Sequence, residues 1–442
     1  MKFCVIGTGD AGAIAAYQLR LLDSKSHIEI FSLRQELGIP PCEMPLVLRG
    51  DINRWENLVR GFRGDESFYH KRNICLHLNT KVTDILRSDK HIVAGGEKYP
   101  YDKLILALGA SPVIPPFKGL DGHNEFTLST DQADGRILEQ AIVKYRTAAI
   151  IGAGFLALEI AEAIKSRGYE KVYLLVRRDI MRAYLDEDMA ERLKQVLVEN
   201  GIEIVSPCRI KRVETRNGKK RLILGDRELD VDFIFFGTGV EPNVQLAHKT
   251  GLELGDTGAI FVNQFLQTSD PYIYAAGDCM ENWDIITGTK KRHQSSTNAI
   301  RTGFIAGRNA FLGNKLPYNG TVMPFVTKIF GYQVGSVGFT VHEAVEKGFD
   351  TVSTNVKTHW LHKRFGGRPA WYKLIADSNS KTLIGAQLIS EEEISGTIDK
   401  FSLAIANKMS LLKLIQIDSC YSPLVQEDQV AIPLQHLLDA LG

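Results

Sequence analysis

Apolar residues open the chain in a short run, Lys2–Ile6, that breaks at a glycine-rich stretch, Gly7–Gly12. An apolar segment of helical length, Ala13–Leu22, follows, and then a second short run, Ile28–Phe31. Strand, glycine turn, helix and strand in that order predict the opening of a doubly wound domain. The pattern returns with Ala148–Ile151, the turn Gly152-Ala153-Gly154, the helical stretch Phe155–Ser166 and the run Val172–Val176. Two more apolar runs end at glycine: Leu104–Leu108 before Gly109, and Phe233–Phe236 before Gly237. Beyond Pro317 no such turn recurs. Strand-like runs there (Gln333–Val337, Leu374–Ala376, Leu383–Gln387) alternate with helical stretches such as Ile398–Lys408. The expected fold class is α/β, with two Rossmann-like dinucleotide-binding domains and a C-terminal α+β domain. Expected boundaries are 1–112 for the first domain, 113–245 for the second, 246–318 for a return to the first, and 319–442 for the last.

Composition narrows the picture without redirecting it. The 442 residues exceed one ordinary core. The hydrophobic fraction of 44% and charged fraction of 24% are those of a water-soluble globular chain. A formal net charge of +1 gives no global field for nucleic acid or an anionic membrane. The apolar run at the N-terminus is too short for a signal-peptide core, and nothing reaches the roughly 18–20 apolar residues of a membrane span. A cytoplasmic location without nucleic-acid or membrane partners is expected. Six cysteines (Cys4, Cys42, Cys75, Cys208, Cys279 and Cys420) contain no CxxC pair and no zinc-spaced cluster, so no metal is expected.

The first turn, Gly7-Thr8-Gly9-Asp10-Ala11-Gly12, fits G-x-G-x-x-G directly after a strand. Its first glycine makes the tight turn, the second admits a pyrophosphate, and the third lets helix pack on strand. The helix start then offers free N–H groups to phosphates. An acidic residue commonly ends the second strand to hold a ribose. Here that place falls to Ser32, which still accepts a hydrogen bond. The second turn runs Gly152-Ala153-Gly154-Phe155-Leu156-Ala157, with Glu159 two residues on. After its next strand stand Arg177 and Arg178, again without an acid. Guanidiniums there suit a 2′-phosphate and so NADPH over NADH; solvated loop arginines are the plain alternative.

Three later stretches complete a set: Ala107-Leu108-Gly109-Ala110-Ser111-Pro112, Gly237-Thr238-Gly239-Val240-Glu241-Pro242-Asn243, and Tyr274-Ala275-Ala276-Gly277-Asp278-Cys279. With both glycine turns, they resemble the pyridine nucleotide-disulfide oxidoreductases over nearly the whole chain. The resemblance implies FAD in the first unit, NADPH or NADH in the second, and a homodimer through the C-terminal domain. It implies that Gly277 and Asp278 lie against the flavin ribityl chain, that Gly109 and Gly239 belong to the cofactor sites, and that Cys279 is structural.

The paired cysteines of the dithiol reductases are missing. The stretch Ile39-Pro40-Pro41-Cys42-Glu43-Met44-Pro45 resembles instead the single-cysteine branch: coenzyme A disulfide reductases, NADH oxidases, NADH peroxidases and persulfide reductases. Cys42 is the expected redox centre. Pro40 and Pro41 predict a helix start beside it, where a thiolate would be stabilised; a buried inert thiol is the plain alternative. Ser419-Cys420-Tyr421-Ser422-Pro423 resembles a segment that reaches the partner's active site in the coenzyme A branch, which makes Tyr421 a catalytic candidate. Its second proline is replaced by Leu424, and Gly366-Gly367-Arg368-Pro369-Ala370 stands where a further tyrosine is expected. Asp10 occupies the place of the peroxidases' histidine, which argues against peroxide reduction. Arg20, Lys71, Arg72 and Arg301 fall where coenzyme A is held in resembling enzymes; solvated charge is the even alternative. The expected activity is reduction of a small disulfide or persulfide, coenzyme A disulfide first. Oxygen reduction is the enzymatic rival. A reductase for a protein partner such as rubredoxin, or a redox sensor, is the alternative of another class.

Overall fold

The computed structural model describes residues 1–37, 39–58, 65–225, 227–359, 361, 363–420 and 430–441. Tyr421 and the segment after it, through residue 429, lie outside the described residues.

The opening βαβ unit forms as the pattern predicts. β1 (Lys2–Ile6) and β2 (His27–Phe31) pair in parallel around α1 (Asp10–Leu22). Further parallel strands extend the sheet to the order Ile273–Ala275, Lys103–Leu106, β1, β2, Ile74–His77. The strand at 273 thus comes back from beyond the second unit to close the first. That second unit builds a five-stranded parallel sheet in the order Glu203–Val205, Lys171–Leu175, Thr147–Ile151, Phe233–Phe236, Glu125–Phe126. Phe233–Phe236 is buried along its length, which explains its unbroken apolar sequence. Each unit also carries a three-stranded antiparallel sheet that the apolar pattern did not announce: Val82–Pro100 in the first, Arg212–Val231 in the second. Most expected elements stand within a few residues of their places. One strand is shorter than expected, Lys103–Leu106 rather than 104–108, because the chain turns at Gly109 with φ +67°.

The C-terminal part is a five-stranded antiparallel sheet, in the order Phe325–Ile329, Tyr332–Gly338, Thr382–Ser390, Pro369–Asp377, Thr351–His359. Helices Ser395–Ala406 and Ala431–Ala440 pack with it in one hydrophobic core around Phe401 and Leu437. Lys373 on this sheet lies 2.8 Å from Asp188 of the second unit, and the Gln387 side chain accepts from the Asp186 N–H at 2.9 Å. These ties fix the C-terminal domain against the second unit.

Small residues bring the site together. α1 buries Ala11, Ala13, Ala15 and Ala16, and helix Ser296–Leu312 crosses it closely. A Cβ added at Gly303 would lie 2.3 Å from the Ala11 carbonyl, and one at Gly307 would lie 2.6 Å from that of Ala15. Side-chain-free crossing points hold the helix that follows Asp278 directly over the first glycine turn. None of the helices among the described residues is long and apolar enough to cross a membrane.

Candidate active site

Both glycine turns open into one cleft of about 2700 Å³. That is well beyond the roughly 300–1,000 Å³ of a single small-ligand pocket. Its walls include Gly7, Thr8, Gly9, Ser32, Cys42, Asp278 and Arg301 from the first unit, and Gly152, Gly154, Glu159, Arg177 and Arg178 from the second. Gly109 and Gly239 line it where the units meet. There Asn243 fastens the two motifs: its N–H donates to the Gly109 carbonyl (3.0 Å) and its Nδ2 to the Leu108 carbonyl (2.9 Å).

The glycines divide by task. Gly7 has φ +115°, and a Cβ there would stand 2.0 Å from the Ala107 carbonyl. Gly12 is closed off by the Gly7 carbonyl at 2.0 Å. Gly9 has nothing within 4 Å, so its backbone N–H side is open to an incoming pyrophosphate. The second turn repeats the arrangement: Gly152 is tight against the Gly237 carbonyl at 2.2 Å, while Gly154 faces open space. Alanine at 157 is buried against Gly237, where glycine stands in the first turn.

Ser32 is buried; Thr8 Oγ1 donates to its hydroxyl oxygen at 3.2 Å, as does the Arg34 N–H at 3.2 Å. Beside it Arg34 Nη1 is buried with no hydrogen-bond partner, Asp131 standing 3.6 Å away. Asp278 Oδ1 is also buried without a partner. Its carboxyl is pushed up to about 6, by burial first and then by Asp10, against a hydrogen bond from the Ser295 N–H. An unfilled donor and an unfilled acceptor on one cleft, with an open glycine between strand and helix, fit a dinucleotide carrying phosphates at one end and hydroxyls near the other. Sequence reading missed Arg34. It also missed His293, which lines the cleft and is held well below its usual range, at about 4, by burial and by Lys291. Neither residue stands in a recognisable motif.

Cys42 lies in the turn before α2 (Met44–Arg49), a helix of six residues with Pro45 near its start. The expectation of a thiolate held by a helix start needs correction. The thiol is instead pushed up to about 12, by burial first, then by the carboxylates of Glu159, Glu43 and Asp10. The residue is nevertheless exposed. The two observations agree once the cleft is considered: Cys42 looks into open space, while the deep walls crowd it with protein and negative charge. α2 is fixed from the second unit. Arg167 Nε donates to the Leu48 carbonyl at 2.8 Å, and Arg49 pairs with Glu162 at 2.8 Å. Glu159, on the same helix (Phe155–Ser166), accepts from the Thr327 hydroxyl of the C-terminal sheet and is pushed up to about 7, chiefly by burial.

The other cysteines sit differently. Cys4 and Cys279 are buried, and the Cys279 thiol donates to the Ala276 carbonyl at 3.4 Å. Cys75 and Cys420 are exposed, and Cys208 lines the cleft beside Val176, at the Arg177 end. Of the four basic residues expected to hold coenzyme A, Arg301 lines the cleft, whereas Arg20, Lys71 and Arg72 do not. Arg20 donates to the carbonyls of Asp23, Ser24, Ser26 and Asn73, so its guanidinium fastens the end of α1. Arg72 stacks 3.9 Å from the Phe68 ring centre.

Comparison with known proteins agrees with this architecture. The family described as pyridine nucleotide-disulphide oxidoreductase matches residues 1–303, and its dimerisation domain matches residues 325–431. An NADH oxidase of Methanocaldococcus jannaschii is 32% identical over 96% of this chain and 95% of its own length. A CoA-dependent NAD(P)H sulfur oxidoreductase of Pyrococcus furiosus is 30% identical over 96% of this chain and 95% of its own. The solved structure of an NAD-dependent persulfide reductase from A. fulgidus superposes with a TM-score of 0.94 at 30% identity, covering 99% of this chain and 83% of that one. On these grounds the chain belongs to the pyridine nucleotide-disulphide oxidoreductase family and is an FAD-dependent NAD(P)H oxidoreductase.

Proposed function

We propose that the enzyme reduces the disulfide or persulfide of a small thiol, coenzyme A foremost, through Cys42, with NADPH as the preferred electron donor. The observation that carries this reading is the exposure of Cys42 in the one cleft shared by both glycine turns. Residues around Gly9, Ser32, Arg34 and Asp278 would hold FAD, and those around Gly154 with Arg177 and Arg178 would hold the nicotinamide nucleotide. Bound flavin would supply the two-electron chemistry, taking hydride from the nicotinamide and passing the electron pair to a disulfide. Cys42 Sγ is one half of that disulfide. When its bond to the small thiol breaks with two electrons, Cys42 keeps a thiolate and the small thiol leaves with a proton. The thiolate attacks the next disulfide; one thiolate departs and the mixed disulfide re-forms. With a persulfide the departing group is hydrosulfide. The carboxylates of Glu43, Glu159 and Asp10 oppose the thiolate and so favour its return to the mixed disulfide.

Cys42→Ser is expected to bind FAD and accept hydride normally, yet lose disulfide and persulfide turnover. Retained turnover in that variant, with loss in Cys420→Ser, would reassign the chemistry to Cys420. A second reading, oxygen reduction with Cys42 cycling through sulfenic acid, draws on the name of the M. jannaschii relative. Turnover with oxygen against coenzyme A disulfide separates the two. Matching of residues 325–431 to a dimerisation domain supports a homodimer, with Tyr421 proposed to act at the partner's Cys42 site.

A further inference from the structure

Ligands of a parallel sheet gather at the carboxyl ends of its strands. In the second unit the neighbouring strands Lys171–Leu175 and Glu203–Val205 run parallel, with Leu175 opposite Val205, so their chains leave the sheet side by side. Three bonds then tie the departing loops. The Val176 N–H donates to the Val205 carbonyl (2.9 Å), the Cys208 N–H to the Val176 carbonyl (2.8 Å), and the Ser206 hydroxyl to the Arg178 carbonyl (2.6 Å). This places Arg209, distant in sequence, next to Arg177 and Arg178 at the same end of the cleft, and all three line it. All three are exposed, and among the described residues none has an ion-pair partner. Asp179 lines the cleft as well.

We propose that Arg209 is the third arm of a phosphate clamp that, with Arg177 and Arg178, holds the 2′-phosphate of NADPH. The proposal rests on the NADPH preference argued above and adds a specificity residue from a separate strand. Two loops joined by backbone bonds present donors from two sides, which a single loop cannot, and guanidiniums bond phosphate oxygens in pairs.

The test is calorimetric binding to the FAD-loaded enzyme, with 2′,5′-ADP, 3′,5′-ADP and 5′-AMP as probes. Wild type is expected to favour 2′,5′-ADP over both others. Arg209→Ala should weaken 2′,5′-ADP about ten-fold and leave 5′-AMP unchanged, as expected for one lost charge-assisted contact. Arg209→Lys, which keeps the charge without the fork, should fall between. Unchanged 2′,5′-ADP binding in Arg209→Ala overturns the proposal, as does an equal loss for 5′-AMP, which would make Arg209 an adenine or loop contact. A preference for 3′,5′-ADP that Arg209→Ala abolishes also overturns it and assigns the clamp to the 3′-phosphate of coenzyme A. Absence of any preference in wild type sinks the NADPH reading itself. Loss of preference in Arg177→Ala/Arg178→Ala but not in Arg209→Ala leaves that reading standing and removes only Arg209.

Discussion

The same strand, turn and helix occur twice in this chain, and the two copies end differently. In the first, the residue after the second strand is Ser32, buried and hydrogen-bonded from Thr8 and Arg34. In the second, buried Val176 gives way to Arg177 and Arg178, both exposed. The surroundings differ in the same sense. Helix Ser296–Leu312 lies across α1 on Gly303 and Gly307, closing the first unit. The second dinucleotide helix packs on α2 instead, and Arg177 and Arg178, after strand Lys171–Leu175, stay on an open rim. Enclosure suits a cofactor that stays; an open charged rim suits one that exchanges at every turnover. On the proposed assignment of the cofactors, the first copy serves retention and the second recognition.

The sharpest break of that comparison is a matched pair of substitutions. Gly9 and Gly154 both face open space, so the protein itself accommodates an added side chain at either place. Gly9→Val should crowd the pyrophosphate of the retained cofactor and yield mostly colourless apoprotein. Gly154→Val should purify yellow, with full flavin, and bind the nicotinamide nucleotide roughly a hundred-fold more weakly, about 2.7 kcal/mol. The absorbance ratio of flavin to protein decides the first arm and titration with NADPH the second. Flavin loss in both variants, or in neither, would erase the division of labour between the turns.

A smaller effect sharpens the second half of the comparison. Losing a charge-assisted contact to the 2′-phosphate weakens binding by about 1.5–3 kcal/mol, roughly ten- to a hundred-fold. Arg177→Ala/Arg178→Ala should therefore raise the Michaelis constant for NADPH by that factor and leave the constant for NADH nearly unchanged. Equal changes for both nucleotides would mean the arginines shape the rim without reading the phosphate.

What was legible in the sequence follows the range of each interaction. The two glycine turns, their strands and helices, and the motifs at Gly109, Gly239 and Asp278 are local patterns. Each stands where its spacing put it, on the shared cleft. Cys42 was singled out by resemblance, and the local argument for a thiolate there does not match its surroundings, which push the thiol up to about 12. Prolines announce a helix start; they do not show that the helix has only six residues or that Glu159 and Asp10 arrive from other elements. Arg20 shows the opposite limit. The resemblance offered it to coenzyme A, whereas the carbonyls of Asp23, Ser24, Ser26 and Asn73 take its guanidinium. Arg34, His293 and Arg209 depend on tertiary placement and carry no motif. The contact from Thr327 to Glu159 crosses between domains and has no sequence signal at all.

The smallest expected effect concerns that contact, and it tests whether the second unit acts on the chemistry of the first. Glu159 stands on the second dinucleotide helix, yet its charge heads the carboxylates that push the Cys42 thiol up. Its own carboxyl is pushed up to about 7, so its charge appears only as pH rises through that value. Below about 7 Glu159 is mostly protonated, and Glu159→Gln should alkylate at Cys42 at nearly the wild-type rate. Above it, wild type gains a negative charge beside the thiol and the variant does not. The variant's thiol pKa should then lie lower, and its rate of alkylation by iodoacetamide should exceed wild type by about three-fold, half a pKa unit or about 0.7 kcal/mol. The measurement is the rate of Cys42 modification by mass spectrometry between pH 6 and pH 9, on flavin-loaded protein. A gap that widens through pH 7 means that helix Phe155–Ser166 sets the protonation of the Cys42 thiol electrostatically. Parallel profiles mean burial and Glu43 hold the thiol up, and the two units meet at Cys42 only as walls of the same cleft.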